Sequence, residues 1–168
     1  MDLRTLAQPS SRFAGDHGEP DPVTRAAIAK AVDQPGYIRA LVALCTSRLL
    51  LPIVASGDEG GSEPDPDRHA EMAAVTLADE SGTYLLAFTG IDALRAWQAE
   101  ARPVPCLLDE LAATVEPAGA SRLLIDVAGP ASFVIEGEPL AHLADGNALV
   151  ELDTGEFAWI KAEEPVAH

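Results

Sequence analysis

Apolar side chains recur at helical spacing in the first part of the chain. Residues 23–32 follow Pro22 and predict a short helix that ends before Asp33. Residues 36–48 predict a second helix with Pro35 in its first turn. Its apolar positions recur at i, i+4, i+7 and i+8 and form one buried stripe, namely Tyr37, Leu41, Leu44 and Cys45. The pattern therefore predicts a helical pair ahead of the first strand.

The next apolar segments have the pattern of strands. Leu49–Ala55 is a short apolar run typical of a buried strand, and Pro52 inside it favours an edge position or a bulge. Residues 72–78 and 83–88 are rich in strand-forming side chains and flank the polar turn at residues 79–82. This order predicts a β-hairpin.

A helix is predicted over residues 90–100, where the second strand of that hairpin ends. Thr89 is the expected N-cap, Asp92 completes a shortened capping box, and one apolar face carries Ile91, Leu94 and Trp97. Pro103 and Pro105 are expected to stop this helix. Another helix is then predicted to begin at Cys106, with Leu107, Leu108 and Leu111 facing inward.

The last third alternates between short strands and one helix. Strands are predicted at residues 123–127 and 132–135, a helix at residues 138–143, and a terminal hairpin around Thr154 and Gly155. The fold class is therefore α+β (or α/β): a single domain with a mixed β-sheet packed against several helices. Its predicted parts are a flexible N-terminal arm (1–22), the main domain (23–146) and a C-terminal hairpin and tail (147–168).

Composition and charge narrow the classes of partner. Of 168 residues, 48% are hydrophobic, which is enough for a folded core, and the net charge of −16 disfavours nucleic acid and anionic membranes. The N-terminal segment has no apolar core typical of a signal peptide, which favours a cytoplasmic protein. Two distant cysteines do not indicate a disulfide scaffold. Abundant alanine, and arginine far in excess of lysine, suggest a bacterial genome rich in GC.

Three segments together resemble the SseB family of bacterial α/β proteins. They are LLLPIVA at residues 49–55, YLLAFTG at residues 84–90 and IDVAGP at residues 125–130, with Trp97 after the second. The similarity covers residues 36–145. It implies a sheet packed against helices in a cytoplasmic protein, and it supplies no catalytic residues.

The acidic loop at residues 56–69 and the residues just after it are a candidate metal site. Carboxylates and a histidine alternate there, as Asp65, Asp67, His69 and Glu71, and such groups are ligands for divalent cations. Pro64 and Pro66 prevent a regular strand, and this favours a solvated loop instead. No metal or other cofactor is therefore predicted.

A ligand pocket near Thr89, Gly90 and Cys106 is the second hypothesis. A strand-to-helix turn can bind an anion, although the same two residues are explained by helix capping. A helix dipole lowers the pKa of a thiol at a helix start, but the favoured interpretation of Cys106 is a buried structural cysteine. This pocket would serve a small-molecule sensor or an enzyme.

Phe157 and Trp159 form the third candidate site, because they share one face of the last predicted strand. An aromatic pair there either seals the sheet edge or binds a partner or a second subunit. The favoured function is a non-catalytic, regulatory or accessory protein that acts by protein–protein contact, with a protein partner or a homo-oligomer. The alternative is the sensor or enzyme that uses Thr89, Gly90 and Cys106.

Overall fold

The computed structural model describes residues 11–55 and 72–161. A 3-10 turn at Ser11–Phe13 precedes five α-helices: α1 (Pro22–Ala29), α2 (Gln34–Cys45), α3 (Ile91–Trp97), α4 (Leu108–Val115) and α5 (Gly137–Ala144). The strands are β1 (Leu49–Ala55), β2 (Met72–Ala74), β3 (Thr76–Asp79), β4 (Gly82–Ala87), β5 (Arg102–Cys106), β6 (Arg122–Ile125), β7 (Phe133–Ile135), β8 (Asn147–Glu151) and β9 (Phe157–Lys161).

The strands form three hydrogen-bonded groups. The orders are β2-β1-β5, β3-β4-β6-β7 and β8-β9. Strands β4 and β6 run parallel, with Ala87 opposite Ile125, and the other pairs are antiparallel. The first two groups meet at a bridge in which Leu50 and Phe88 exchange backbone hydrogen bonds of 2.8 and 2.9 Å. The predicted α+β domain, with a helical pair ahead of its mixed strands, is confirmed.

Strand β1 divides the core into two clusters. Leu49, Leu51 and Ile53 belong to the main cluster, while Leu50 belongs to the second, because successive side chains of a strand point to opposite faces. The main cluster contains residues of α2, α4 and β6, and the second contains Leu94 of α3. Phe88 is buried there, with its ring centroid 5.8 Å from that of Trp97.

The two proline-containing segments are placed differently from the prediction. Pro52 was expected at an edge or bulge, but β1 lies between β2 and β5. Pairing with β2 begins at Ile53 and the bridge to Phe88 lies at Leu50, so Pro52 falls where no ladder hydrogen bond is required. Residues 102–106, expected to stop one helix and begin another, form β5, in which Pro103 lies opposite Pro52. This strand is an edge of its group among the described residues, and prolines are tolerated at edges.

Part of the predicted N-terminal arm contacts the domain. Within residues 11–21, Arg12 forms an ion pair of 2.8 Å with Glu110 of α4, and Asp16 pairs with Arg48. Residues 1–10, residues 56–71, which include the acidic loop, and residues 162–168 lie outside the described residues.

The terminal hairpin and the helix at residues 138–143 are present. The predicted strand at residues 72–78 divides into β2, which pairs with β1, and β3, which forms the predicted hairpin with β4. Asp79 closes the β3–β4 turn, where its carboxylate accepts hydrogen bonds from the backbone N–H groups of Ser81 and Gly82. Strands β8 and β9 form the terminal hairpin. No helix among the described residues combines the length and apolar character needed to cross a bilayer.

Candidate functional site

The carboxyl ends of the parallel strands β4 and β6 carry a buried polar pair. Thr89 follows β4 and Asp126 follows β6, and these side chains lie in contact because the two strands end side by side. The Thr89 N–H donates to Asp126 Oδ1 at 2.8 Å, and its hydroxyl donates to Oδ2 at 2.7 Å. Thr89 and Asp126 are 2% and 1% exposed. Ligands commonly bind at this end of an α/β sheet, so the pair is the first place to look for chemistry.

Asp126 has an unusual backbone and an unusual carboxyl group. Its φ of +56° lies in the left-handed region, which aspartate tolerates better than most residues. Burial raises the pKa of its carboxyl above the ordinary value, although the hydrogen bonds from Thr89 act in the opposite direction. Hydrogen bonds from Thr89, rather than from water, therefore satisfy the carboxyl group.

Two arginines extend this pair to neighbouring elements. Arg25 of α1 donates to Thr89 Oγ1 at 2.9 Å and binds both carboxylate oxygens of Asp92 at 2.6 Å. Arg48 donates to the Thr89 carbonyl at 3.0 Å. We call these residues the polar clamp: Arg25, Arg48, Thr89, Asp92 and Asp126.

The polar groups of the clamp are already paired. The hydrogen bond from Arg25 lowers the pKa of Asp92, and the same bond raises the pKa of Arg25. Arg48 also pairs with Asp16 and donates to the Glu19 carbonyl. Among the described residues, no buried side-chain nitrogen or oxygen lacks a hydrogen-bond partner. The clamp therefore joins α1, the N-terminal segment, and the ends of β4 and β6.

The structure corrects the predicted capping of α3. Gly90, rather than Thr89, is the N-cap, and glycine has no side chain to make a capping bond. The Thr89 hydroxyl is bound to Asp126 instead of to the amide groups of the helix. The N–H of Ile91 donates to the Gly18 carbonyl at 2.7 Å, and a Cβ on Gly90 would meet the ring of Pro20. Anion binding at Thr89 and Gly90 stays a prediction, and the N-terminal segment covers this turn.

Cys106 lies at the end of β5 in the main core cluster, not at a helix start. It is fully buried, and its thiol lies 3.7 Å from the Leu49 carbonyl, to which it donates. The residue is buried, as the favoured interpretation has it, and burial raises the pKa of the thiol strongly. The alternative, a pKa lowered by a helix dipole, is wrong. Thr89 is bound within the polar clamp, whereas Cys106 packs among apolar side chains.

The C-terminal hairpin contains the predicted aromatic pair. Phe157 and Trp159 are partly buried and pack against the main core cluster. Trp159 lies opposite Leu149 on β8 and stacks on His142 of α5, with ring centroids 4.6 Å apart. These two aromatic side chains therefore form the inner face of the hairpin.

The other face of this hairpin is also apolar. Alternation along the two strands places Ala148 opposite Ile160 and Val150 opposite Ala158, on the face away from Leu149. None of these four belongs to a core cluster, and Ile160 is 46% exposed. Leu152, 43% exposed, follows Val150 by two residues. We call this surface the outer hairpin face: Ala148, Val150, Leu152, Ala158 and Ile160.

Acidic side chains surround one end of the outer hairpin face. Glu151, Asp153 and Glu156 are all exposed at the β8–β9 turn. Neither strand of this hairpin pairs with a third strand among the described residues. The hairpin thus combines an apolar face, free strand edges and a negative rim.

Sequence reasoning did not predict the polar clamp, although it named Thr89 and Asp92 as helix-capping residues. Arg25, Arg48 and Asp92 come from separate elements and have no shared spacing, while Asp126 lay inside the noted IDVAGP segment. A charged residue directly after a buried strand was the available signal.

The metal hypothesis falls on residues that are not described. Asp65, Asp67, His69 and Glu71 all lie within 56–71. In the part of the chain that the structure describes, no group of three His, Cys, Asp or Glu side chains is arranged to hold a metal ion.

Comparison with known proteins identifies one family. The family model of the SseB protein N-terminal domain matches residues 25–142, which is more than half of the chain. This range runs from within α1 to within α5 and includes the Thr89–Asp126 pair. No curated protein and no solved structure matches the chain.

Proposed function

Because this chain belongs to the SseB family, we propose that it is a non-catalytic cytoplasmic protein that acts by binding another protein, in a regulatory or accessory role. The outer hairpin face is the observation that carries the proposal. Apolar side chains on a solvated surface cost free energy, and a contiguous group of them marks an interaction site. A two-stranded ribbon is also marginally stable by itself, so a second layer on its outer face would stabilise it.

The inner and outer faces of the hairpin have different roles in this proposal. Phe157 and Trp159 pack on the core and hold the ribbon in place. Val150 and Ile160 face outward and supply the contact with the partner. The aromatic pair therefore fixes the ribbon against the core, and the outer hairpin face stays available to the partner.

The charge of the protein indicates the chemistry of the partner. The net charge is −16, and Glu151, Asp153 and Glu156 lie beside the outer hairpin face. Such a surface attracts a basic partner and raises its rate of association. The proposed partner therefore has basic side chains around an apolar strand or patch, which pairs with the face or with the free edge of the ribbon.

The paired state of the polar groups supports a non-catalytic role. A general base or nucleophile must reach a substrate proton or atom. The Asp126 carboxylate is bound to Thr89, and burial keeps the Cys106 thiol protonated and enclosed. These groups hold the fold together.

Affinity capture with matched variants tests the proposal. The tagged full chain, Val150→Asp/Ile160→Asp and the control Leu77→Asp are incubated with extract of the organism that encodes the protein. Leu77 is 40% exposed on β3, so the control adds the same kind of charge to another apolar surface position. We expect one near-stoichiometric protein with the wild type and with Leu77→Asp, lost with the double variant and at high salt.

Two results contradict the proposal. Equal recovery of that protein by the outer-face double variant removes the face from the interaction. Recovery of no protein by the wild type at low salt, together with self-association that the double variant abolishes, assigns the face to a second copy of this chain instead. Sedimentation velocity of the three purified proteins distinguishes these cases.

A further inference from the structure

A second surface, distant in sequence from the hairpin, lies between α1 and the beginning of α2. It is a groove of about 670 Å³. Its apolar lining comes from small or short side chains, including Val23, Ala26, Ala27 and Pro35. Val23 is 71% exposed, so its side chain projects into solvent. The groove therefore offers apolar contact that no described residue covers.

The corner between the two helices has a defined cause. Asp33 caps α2, with its Oδ1 accepting a hydrogen bond of 2.8 Å from the Gly36 N–H. Gly36 lies directly against the backbone carbonyl of Lys30, and a Cβ at this position would overlap that oxygen. Small residues on both helices, Ala26, Ala27 and Gly36, leave the space beside this corner open.

Two basic side chains and one acidic side chain line the groove, whereas the whole chain has a net charge of −16. Lys30 and Arg39 line it and are exposed, and neither forms an ion pair with a described residue. Four arginines elsewhere do pair with carboxylates, namely Arg12, Arg25, Arg48 and Arg122. Asp33 also lines the groove, but one of its oxygens is bound to the Gly36 N–H. The N-terminal end of α2 adds partial positive charge.

We propose that this groove binds a segment of a partner protein in which acidic side chains flank one or two large apolar side chains. The apolar side chains would lie on Val23, Ala26 and Pro35, and the carboxylates would lie beside Lys30 and Arg39. Lys30 and Arg39 place two positive charges beside the apolar lining of this groove in a chain with a net charge of −16, and charge complementarity selects an acidic segment. The partner proposed for the outer hairpin face is basic, so the two surfaces bind different partners.

Binding of synthetic peptides to the full chain tests this proposal. The probe is a fluorescein-labelled peptide of about twelve residues in which Glu flanks Leu and Phe, followed by anisotropy at about 50 mM and about 500 mM salt. Control peptides carry Lys in place of Glu, or Ser in place of Leu and Phe. We expect micromolar affinity for the acidic, apolar peptide, reduced at high salt, and at least about tenfold weaker binding of both controls.

Two kinds of variant locate the site. Lys30→Glu/Arg39→Glu reverses the cations, and Ala26→Phe fills the groove at an exposed position. Each should weaken binding at least about tenfold. Arg95→Glu/Lys161→Glu makes the same change of charge at two exposed positions outside the groove and should leave the affinity unchanged. Val150→Asp/Ile160→Asp should also bind the peptide normally, so this test is independent of the hairpin proposal.

Several results overturn the inference. They are no binding of the acidic peptide, equal binding of the Lys peptide, or equal affinity in the groove and control variants. Self-association of the wild type that is lost in Lys30→Glu/Arg39→Glu also overturns it, because the occupant is then a second copy of this chain.

Discussion

The carboxylate of Asp126 accepts both polar hydrogens of Thr89, the backbone N–H at 2.8 Å and the hydroxyl at 2.7 Å. These two residues follow the parallel strands β4 and β6, so one side chain joins the strand ends. Arg25 continues the contact to α1 through the Thr89 hydroxyl. Asp126 adopts a left-handed backbone while its side chain meets these donors, which makes it the central residue of the polar clamp.

Asp126→Asn is expected to destabilise the protein by about 1–3 kcal/mol. An amide nitrogen cannot accept a hydrogen bond, so one donor of Thr89 loses its acceptor in a buried site. Urea unfolding followed by circular dichroism measures the change in free energy. The control Asp145→Asn alters an exposed carboxylate at the end of α5 and should have little effect. Equal stability of the two variants would contradict the role given to Asp126.

The two carboxylates of the clamp should respond to pH in opposite directions. The pKa of Asp126 is raised, so the folded state favours its protonated form, and its contribution to stability grows as pH falls through that pKa toward the ordinary value of 3.8. The pKa of Asp92 is lowered, so its contribution is present above pH 3.8 and is lost as pH falls through the lowered pKa.

Substitution of each carboxylate exposes this difference. The destabilisation caused by Asp126→Asn should be larger near pH 4 than near pH 7. The destabilisation caused by Asp92→Asn should instead be smaller near pH 4 than near pH 7. It should stay below about 1 kcal/mol at both pH values, because the Asp92 side chain is 56% exposed. Urea unfolding of both variants and the wild type across this range measures the two slopes. Slopes of the same sign would show that the two environments are not different.

Gly36→Ala tests the close approach of α1 and α2. Helix propensity alone predicts that alanine stabilises this position by about 1 kcal/mol. The Lys30 carbonyl occupies the space of the new methyl group, so we expect destabilisation by about 1–3 kcal/mol instead. Thermal and urea unfolding show whether the Gly36→Ala protein is more or less stable than the wild type. Ala26→Gly, at an exposed position of α1, reports the propensity term without a clash, and a stabilised Gly36→Ala protein would refute the close contact.

The two cysteines should differ in reactivity. Cys106 is fully buried and Cys45 is partly buried, and burial raises the pKa of both thiols, strongly so for Cys106. In the native protein at about pH 8, an aromatic disulfide reagent should modify Cys45 first and Cys106 only when the core opens. The Cys45→Ser variant isolates Cys106. Rapid modification of that variant without denaturant would show that the Cys106 thiol is accessible and reactive in the native protein.

Local patterns predicted the elements that are stabilised by local contacts. The β3–β4 hairpin is closed by Asp79 within its own turn, and the apolar stripe of α2 follows from 3.6-residue spacing. Strand β5 was missed because its two prolines look like a helix stop, and only pairing with the distant β1 makes it a strand. A short segment of sequence does not predict such long-range pairing.

For the candidate sites too, the sequence predicted local features and missed those that depend on long-range contacts. Alternation placed Phe157 and Trp159 on one face, but only the packing of α5 and the core shows that this face is the inner one. Within the polar clamp, Arg25 and Asp92 bind each other across 67 positions of sequence, so no spacing rule could find it. Lys30 and Arg39 were unremarkable in sequence, and only the three-dimensional structure shows that neither forms an ion pair with a described residue.

Binding of the captured protein to the purified full chain tests the central claim most directly. Isothermal titration would compare wild type, Leu77→Asp and Val150→Asp/Ile160→Asp at about 50 mM and about 500 mM salt. The proposal predicts equal affinity for the first two, a Kd at least about tenfold higher for the double variant, and weaker binding at the higher salt. An unchanged Kd for a folded double variant would contradict the claim that the outer hairpin face binds a partner.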